Sequence, residues 1–102
     1  MNRKNPEECN SVEEIRAEID RIDRNIFELF AERHKYVEAI VRFKTNEAGV
    51  IAQERKEMVI QERRAWAQEM KLNPDTFEEI YQLLIDSNIK HELKLLKEKK
   101  SI

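Results

Sequence analysis

Residues 12–44, which read VEEIRAEIDRIDRNIFELFAERHKYVEAIVRFK, decide the fold of this chain. Their apolar residues recur at alternating intervals of three and four positions, with no glycine or proline to interrupt them. Heptad spacing of this kind predicts one long amphipathic helix with a continuous apolar face. We call that face the apolar seam; it comprises Val12, Ile15, Ile19, Ile22, Ile26, Leu29, Tyr36, Ile40 and Phe43.

The whole chain has 102 residues, of which 40% are hydrophobic and 39% charged, with one glycine and two prolines. This length fits a single helical domain, residues 1–102, with flexible ends at about 1–10 and 98–102. Because residues that favour turns are so scarce, the composition favours a few long helices. The predicted fold class is all-α, a three-helix chain with a very long first helix.

Local signals mark where the helices begin and end. Ser11 opens the first helix with a capping box, in which Glu14 reaches back to the Ser11 amide. The segment TNEAGVIAQ at 45–53 interrupts the pattern and is either a flexible lid over a ligand or a plain connector. The dipeptide Asn73-Pro74 then supplies an N-cap and a proline at the first helical position.

Two further helices follow this break. The second is predicted from Glu54 to Met70. Its expected inward residues are Met58, Val59, Ala65 and Trp66. The third helix carries a stripe made of Phe77, Ile80, Tyr81, Leu84, Ile85, Ile89, Leu93 and Leu96. The apolar stripe ends before the charged tail KEKKSI.

The length of the first helix bears on assembly. About 35 helical residues form a rod of about 50 Å, whereas a compact chain of about 100 residues has a radius of gyration of about 13 Å. A monomer therefore leaves much of the apolar seam in water, at a cost of about 25 cal/mol per Å². Pairing two long helices removes that cost, so we expect an intertwined homodimer.

Charge and composition argue against several classes of protein. The net charge is −2 and the pI is near 5.8, whereas nucleic-acid-binding proteins carry a basic excess. Cys9 is the only cysteine, so no disulfide can form within the chain. No apolar run approaches the roughly 20 residues of a membrane span, and the start MNRKNPEECN is too polar for a signal peptide. A cytoplasmic protein is expected.

Charged residues lie on or beside the apolar faces. Arg33 occupies a seam position and Lys44 follows the last seam residue. Glu92 lies within the stripe of the third helix, Arg16 edges the seam, and Arg55 starts the second helix. Cations on a core face need anionic partners, and one acid leaves positive charge unmatched, which predicts a small polyanionic ligand between helices. The plainer alternative is that these groups pair with one another or extend to solvent.

The position of Arg16 indicates how such a site is assembled. Arg16 and Lys44 are 28 positions apart, so about 42 Å separates them along one helix. Their side chains therefore cannot both bind one small molecule within a single chain. In an antiparallel dimer, Arg16 of one subunit can approach Arg33 and Lys44 of the other, which predicts two shared sites per dimer.

Three stretches, by their order and spacing, resemble those of a known protein family. They are IRAEIDRIDRNIFELFAERHKYVEAIVRFK, the pair ER at 54–55, and NPDTFEEIYQLLIDSNI. Over about residues 6–97 the chain resembles the all-α chorismate mutase family. Within that family it looks most similar to the isochorismate pyruvate lyase branch of pyochelin siderophore biosynthesis, through PEEC, HKYVEA, RFK and RRAWAQE.

The resemblance implies an intertwined helical dimer that binds a dicarboxylate carrying an enolpyruvyl ether. By position, Arg16 of the partner subunit, Arg33 and Arg55 hold the two carboxylates. Lys44 bonds a carboxylate and the ether oxygen, where negative charge grows as the C–O bond breaks. The mutase converts chorismate to prephenate, and the lyase converts isochorismate to salicylate and pyruvate. Neither reaction needs a nucleophile, a metal or a cofactor, so the protein supplies orientation and positive charge.

The chain departs from the family in the third helix, where Glu92 replaces the usual glutamine. A glutamine amide donates at any pH, but a carboxylate only accepts, so Glu92 must be protonated to bond the ether oxygen. Burial would raise its pKa, while Lys44 and Arg33 would lower it. Activity is then expected to rise toward acidic pH. The alternative is that Glu92 is simply a salt-bridge partner of Lys44.

Other positions bear on the choice of reaction. Typical bacterial mutases have acidic groups near the ring hydroxyl, where this chain has Ala52 and Lys56; the lyase also lacks them, which favours isochorismate. Asn88, one turn before Glu92, either lines the ring pocket or is a helix-surface amide. Chorismate mutase remains the second interpretation. A third is a non-catalytic helical dimerisation module, whose seam charges only set the helix register.

Overall fold

The computed structural model describes residues 3–101, and every regular element in that range is helical. This confirms the all-α prediction and the long first helix, although residues 40–43, predicted as the end of that helix, form a 3₁₀ turn and Lys44 is extended. Within the same range, no helix combines the length and the apolar content needed to cross a membrane. The α-helices are α1 (Val12–Ala39), α2 (Glu47–Ile51), α3 (Gln53–Glu69) and α4 (Pro74–Lys100), with 3₁₀ turns at Pro6–Glu8 and Ile40–Phe43.

The chain divides into two compact units, one ending at Tyr36 and the other starting at Val37. The ends expected to be flexible, about 1–10 and 98–102, lie partly outside the described residues. Within them, Pro6–Glu8 forms a turn and α4 continues to Lys100.

The start of α1 is capped by Ser11 as predicted, but Glu14 bonds elsewhere. Ser11 Oγ accepts a hydrogen bond from the Glu14 amide at 3.1 Å. The Glu14 carboxylate accepts from the Asn10 amide at 2.7 Å and from Lys4 Nζ at 2.9 Å, rather than from the Ser11 amide as expected. The Asn10 amide and then Lys4 lower the pKa of Glu14. Lys4 offers a charge-assisted bond, which is stronger than one between neutral groups.

The apolar seam, which runs along α1 and into the turn at Ile40–Phe43, lies in solvent in the single chain. No residue between Val12 and Ala39 is buried. The exposed fraction reaches 63% for Leu29 and 70% for Tyr36. Every residue of the seam is therefore exposed in the single chain, as the length of the helix led us to expect.

The second unit is built around α4. Val41, Val50 and Leu96 form its core cluster and are almost completely buried. The half-buried residues packed against them are Ile89, Leu93 and Leu95. Glu38, in the last turn of α1, belongs to this unit, and its Oε2 lies 2.8 Å from His91 Nε2. These contacts make the second half of α4 the framework of the unit.

The face of α3 that turns inward differs in part from the prediction. Val59 is buried as expected, but Met58, Ala65 and Trp66 are exposed. The buried residues of this helix are Val59, Ile60 and Ala67. Apolar residues lie on two adjacent stripes of this highly charged helix, and packing against α4 selects one of them.

The turn before α4 confirms the predicted cap. Asn73 Oδ1 accepts hydrogen bonds from the amides of Asp75 and Thr76, at 2.9 and 3.4 Å. Pro74 is the first residue of the helix, where a missing amide hydrogen is harmless. The predicted cap therefore forms at the start of α4, where Arg64 of α3 also donates to Asp75 and Glu78.

Candidate active site

Two of the predicted ligand-binding arginines belong to the first unit. Arg16 is exposed near the start of α1, and Arg33 is half-buried near its end. Seventeen positions of continuous helix separate them, which is about 25 Å along the axis. That distance exceeds the span of a molecule as small as chorismate. One chain cannot bring both arginines to the same ligand.

Lys44 belongs to the second unit and directly follows the turn at Ile40–Phe43. Its backbone leaves the turn in an extended conformation, with φ −96° and ψ 137°. Val41 before it and Val50 after it are both buried against Leu96. The segment that carries Lys44 is thus held against the last third of α4 by apolar packing on both sides.

The side chain of Lys44 runs beside Gly49. A Cβ atom added at Gly49 would lie 3.7 Å from Lys44 Cδ and 3.4 Å from Asn46 Oδ1. Asn46 caps α2, because its Oδ1 accepts a hydrogen bond from the Gly49 amide at 2.8 Å. The segment 45–53, expected to be a lid or a connector, therefore contains a short helix anchored by the buried Val50.

One residue, Ala52, joins α2 to α3. It has a left-handed backbone, with φ 41° and ψ 60°. Its amide donates to the Ala48 carbonyl at 2.9 Å, which ends α2, and its carbonyl accepts from the Lys56 amide at 3.0 Å, which starts α3. Arg55, the third residue of α3, is exposed. Because no free linker intervenes, the direction of Arg55 is set by the end of α2.

Asn88 and Glu92 lie one turn apart on α4, so they share one face of that helix. Asn88 is 8% exposed, and no other polar residue of the described range is buried. It is therefore not the helix-surface amide considered as an alternative. Glu92 is half-buried.

An ion pair that sequence analysis missed holds the start of α3 to α4. Lys56 Nζ donates to Asp86 Oδ1 at 2.6 Å, and the Lys56 side chain is only 16% exposed. Gln82 Nε2 donates to the same carboxylate at 3.3 Å. The bond from Lys56, followed by that from Gln82, lowers the pKa of Asp86. The partners are 30 residues apart, and no local pattern in the sequence announces them.

A concave pocket of about 180 Å³ lies elsewhere in the second unit. Arg63, Trp66 and Tyr81 contribute to its lining, which includes none of the predicted site residues. The Arg63 guanidinium stacks on the Trp66 ring at 4.3 Å and faces the Tyr81 ring at 5.4 Å. It also pairs with Glu62. Its Nε is buried and has no hydrogen-bond partner among residues 3–101, but Arg63 is the one cation in a lining that is otherwise apolar and aromatic. This pocket therefore lacks the several cations that the sequence predicts around a dianion.

Comparison with known proteins agrees with the resemblance seen in the sequence. A family model for chorismate mutase type II matches residues 15–93. Isochorismate pyruvate lyase of Pseudomonas aeruginosa (strain PAO1) is 37% identical over 91 residues, which cover 89% of this chain and 90% of that protein. The range matched by the family model contains every predicted site residue: Arg16, Arg33, Lys44, Arg55, Asn88 and Glu92.

The ion pair between Lys56 and Asp86 gives a prediction about acid stability. A lowered carboxyl pKa means that the pair stabilises the fold above the unfolded-state value of about 3.9, and that this contribution is lost as pH falls through the folded-state pKa. We expect Asp86→Asn to unfold at lower urea concentration than the wild type at about pH 6, with the difference shrinking as the solution is acidified.

A double-mutant cycle with Lys56→Met, Asp86→Asn and the combined variant isolates the pair from other effects of each substitution. The coupling is expected to be favourable near neutral pH and to disappear in strong acid. A coupling that is the same at both ends of the pH range would show that the pair does not act through charge.

Proposed function

This chain belongs to the chorismate mutase type II family, and we propose that it is an isochorismate pyruvate lyase. In this proposal it acts in the cytoplasm and converts isochorismate to salicylate and pyruvate, which supplies salicylate for siderophore biosynthesis. The similarity to isochorismate pyruvate lyase along nearly the whole of both chains is the observation that carries the proposal.

Chorismate mutase is the second candidate, because the matching family model is that of chorismate mutase type II. The residues at 52 and 56 favour the lyase. Ala52 carries no charge, and Lys56 is bonded to Asp86. By the resemblance described above, typical mutases have acidic groups at these two places near the ring hydroxyl.

The proposed mechanism uses positive charge and orientation. Arg33, Arg55 and Arg16 of the partner subunit hold the two carboxylates of the substrate. Lys44 donates a hydrogen bond to the ether oxygen, where negative charge grows as the C–O bond breaks. A ring hydrogen moves to the methylene carbon of the side chain, so the ring becomes aromatic salicylate and the side chain leaves as pyruvate. The reaction is balanced without an external oxidant or reductant.

A homodimer paired through α1 is part of the proposal. The exposed apolar seam supports it, since a second α1 would cover those side chains. The separation of about 25 Å between Arg16 and Arg33 supports a site shared by two chains.

Glu92 sets the pH dependence in this mechanism. It lies one turn from the buried Asn88 and replaces the amide that donates to the ether oxygen in the family. Only the protonated carboxyl can donate that bond. The two carboxylates of the bound substrate favour protonation by repulsion between like charges.

The function is tested by incubating the purified protein with isochorismate and, separately, with chorismate. We expect isochorismate to be consumed faster, with salicylate fluorescence as the measure. Lys44→Ala is expected to lower kcat by about 10²–10³, because one hydrogen-bond donor to the developing charge is lost. Lys94→Ala, which removes an exposed cation from α4, is the matched control and should be unchanged.

The alternatives give different results in the same assay. Turnover of chorismate alone, with prephenate as the product, would make the protein a mutase. If neither substrate reacts, the dimerisation module becomes the better account.

Activity of the wild type is expected to rise toward acidic pH, because only protonated Glu92 can donate. Glu92→Gln donates at every pH, so its profile should be flatter. The measurement is kcat/KM for both proteins between about pH 5 and 8. Glu98→Gln, an exposed substitution further along α4, is the control for changes in charge alone. A flat wild-type profile over that range would contradict this role of Glu92.

The shared site is tested by subunit mixing. Arg16→Ala and Lys44→Ala are unfolded together and refolded, so that half of the dimers contain one chain of each kind. Such a heterodimer has one site with both substitutions and one with neither, and about a quarter of all sites are restored. Arg33→Ala mixed with Lys44→Ala is the control, because these two residues come from the same chain and neither site recovers. No recovery in the first mixture, once heterodimers are shown by mass spectrometry, would place Arg16 in its own subunit's site.

A further inference from the structure

Lys99, near the end of α4, reaches three backbone carbonyls that surround Lys44. Its Nζ donates to the carbonyl oxygens of Val41 and Arg42, each at 3.2 Å, and to that of Lys44 itself at 3.1 Å. An ammonium group has three N–H donors, so all of them find acceptors here. The acceptors lie 55 to 58 residues earlier in the chain.

The location of these carbonyls explains why a cation binds them. The last carbonyls of a helix have no partner further along the chain, and they carry the negative end of the helix dipole. The turn at Ile40–Phe43 ends here, and the Lys44 amide returns only to the Val41 carbonyl, at 3.1 Å. Lys99 supplies the missing donors at the residue where the backbone turns from helical to extended.

Lys99 and the core cluster act on the same segment. Leu96, three residues before Lys99, shares its face of α4 and packs against Val41 and Val50. The apolar contacts hold Val41 and Val50 against Leu96 but have no directional requirement. The three hydrogen bonds from Lys99 are directional, and they orient the carbonyls of the backbone from which the Lys44 side chain leaves.

We propose that Lys99 is a positioning residue for Lys44. It holds the backbone of Lys44 so that the side chain passes along Gly49 and presents its ammonium group at a set place. The catalytic part of this inference rests on the proposed function; the anchoring of the segment does not. A displacement of about 1 Å at a catalytic group costs about 10²-fold in rate, so an anchor of this kind is measurable in kcat.

The test compares three variants of the full-length protein. Lys99→Met keeps an unbranched stem but removes all three donors. Lys99→Arg keeps the charge, although its planar donors suit three converging carbonyls less well. Lys97→Met is the matched control, since it removes an exposed lysine two residues away on the same helix.

Lys99→Met is expected to lower kcat by about 10- to 100-fold with little change in KM, because the misplaced ammonium group acts mainly in the transition state. Lys99→Arg should recover part of the loss, and Lys97→Met should match the wild type. A purely structural role would instead lower the amount of active enzyme and leave kcat per intact site unchanged, and that result would overturn the proposal.

Amide hydrogen exchange provides a readout that needs no activity. Lys99→Met should accelerate exchange at residues 42–46 and leave the first half of α4 unchanged. If the wild type turns over neither substrate, the proposed function fails, and faster exchange in this segment still supports the anchor. Unchanged exchange would overturn the anchor whatever the activity.

Discussion

The uncovered apolar seam of α1 is the constraint on which the other features depend. A chain with so little turn-forming sequence cannot fold its longest helix back on itself, and that helix buries none of its own residues. Among residues 3–101, few hydrophobic residues of the single chain are buried: Val41, Val50, Val59, Ile60, Ala67 and Leu96. Burial of a large aliphatic side chain is worth about 1.5–3 kcal/mol, so covering the half-exposed seam adds stabilisation comparable to that of this small core. In the proposed dimer, the contact between the two α1 helices buries the seam and also brings Arg16 of each subunit into the site of its partner. Folding and activity then both depend on dimerisation.

Three lysines near α4 show how position decides the use of the same side chain. Lys56 is largely buried and is neutralised by Asp86. Lys99 meets backbone carbonyls, whose partial charges at a helix end suit a cation without a full counter-charge. Lys44, between two buried valines, is the lysine that we propose for the substrate. Because the protein already supplies partners to the first two, the proposed dianion would be attracted chiefly by Lys44 and by the arginines.

Those parts of the structure that follow from local rules could be predicted from the sequence. The heptad spacing of the seam predicted α1, and Asn73 with Pro74 predicted where α4 starts. The inward face of α3 could not be predicted fully, because Met58 and Ile60 are equally apolar and only the packing of α4 separates them. Periodicity also cannot reveal contacts between distant residues.

The candidate site shows the same division. Arg33 and Lys44 could be picked out because cations on an apolar helix face conflict with burial. Asp86 and Lys99 could not, since each sits among ordinary charged residues of α4 and acquires its role from a partner at least 30 positions away. The buried state of Asn88 also had no signal in the sequence beyond its place one turn from Glu92. Chemistry that depends on long-range contacts is visible only after folding.

The single-residue junction at Ala52 makes the direction of Arg55 depend on the number of residues between α2 and α3. A flexible loop can accommodate an inserted or deleted residue without moving the helices that it connects. Ala52 cannot, because its amide is hydrogen-bonded to α2 and its carbonyl to α3. Each residue of an α-helix turns by about 100°, so one extra residue here would swing Arg55 to another side of α3. The spacing of eleven residues from Lys44 to Arg55 therefore determines to which side of α3 Arg55 points, more than how far it lies from Lys44. In the proposed site, a substitution between Lys44 and Arg55 leaves their relative direction unchanged, whereas a change in the length of this interval alters it.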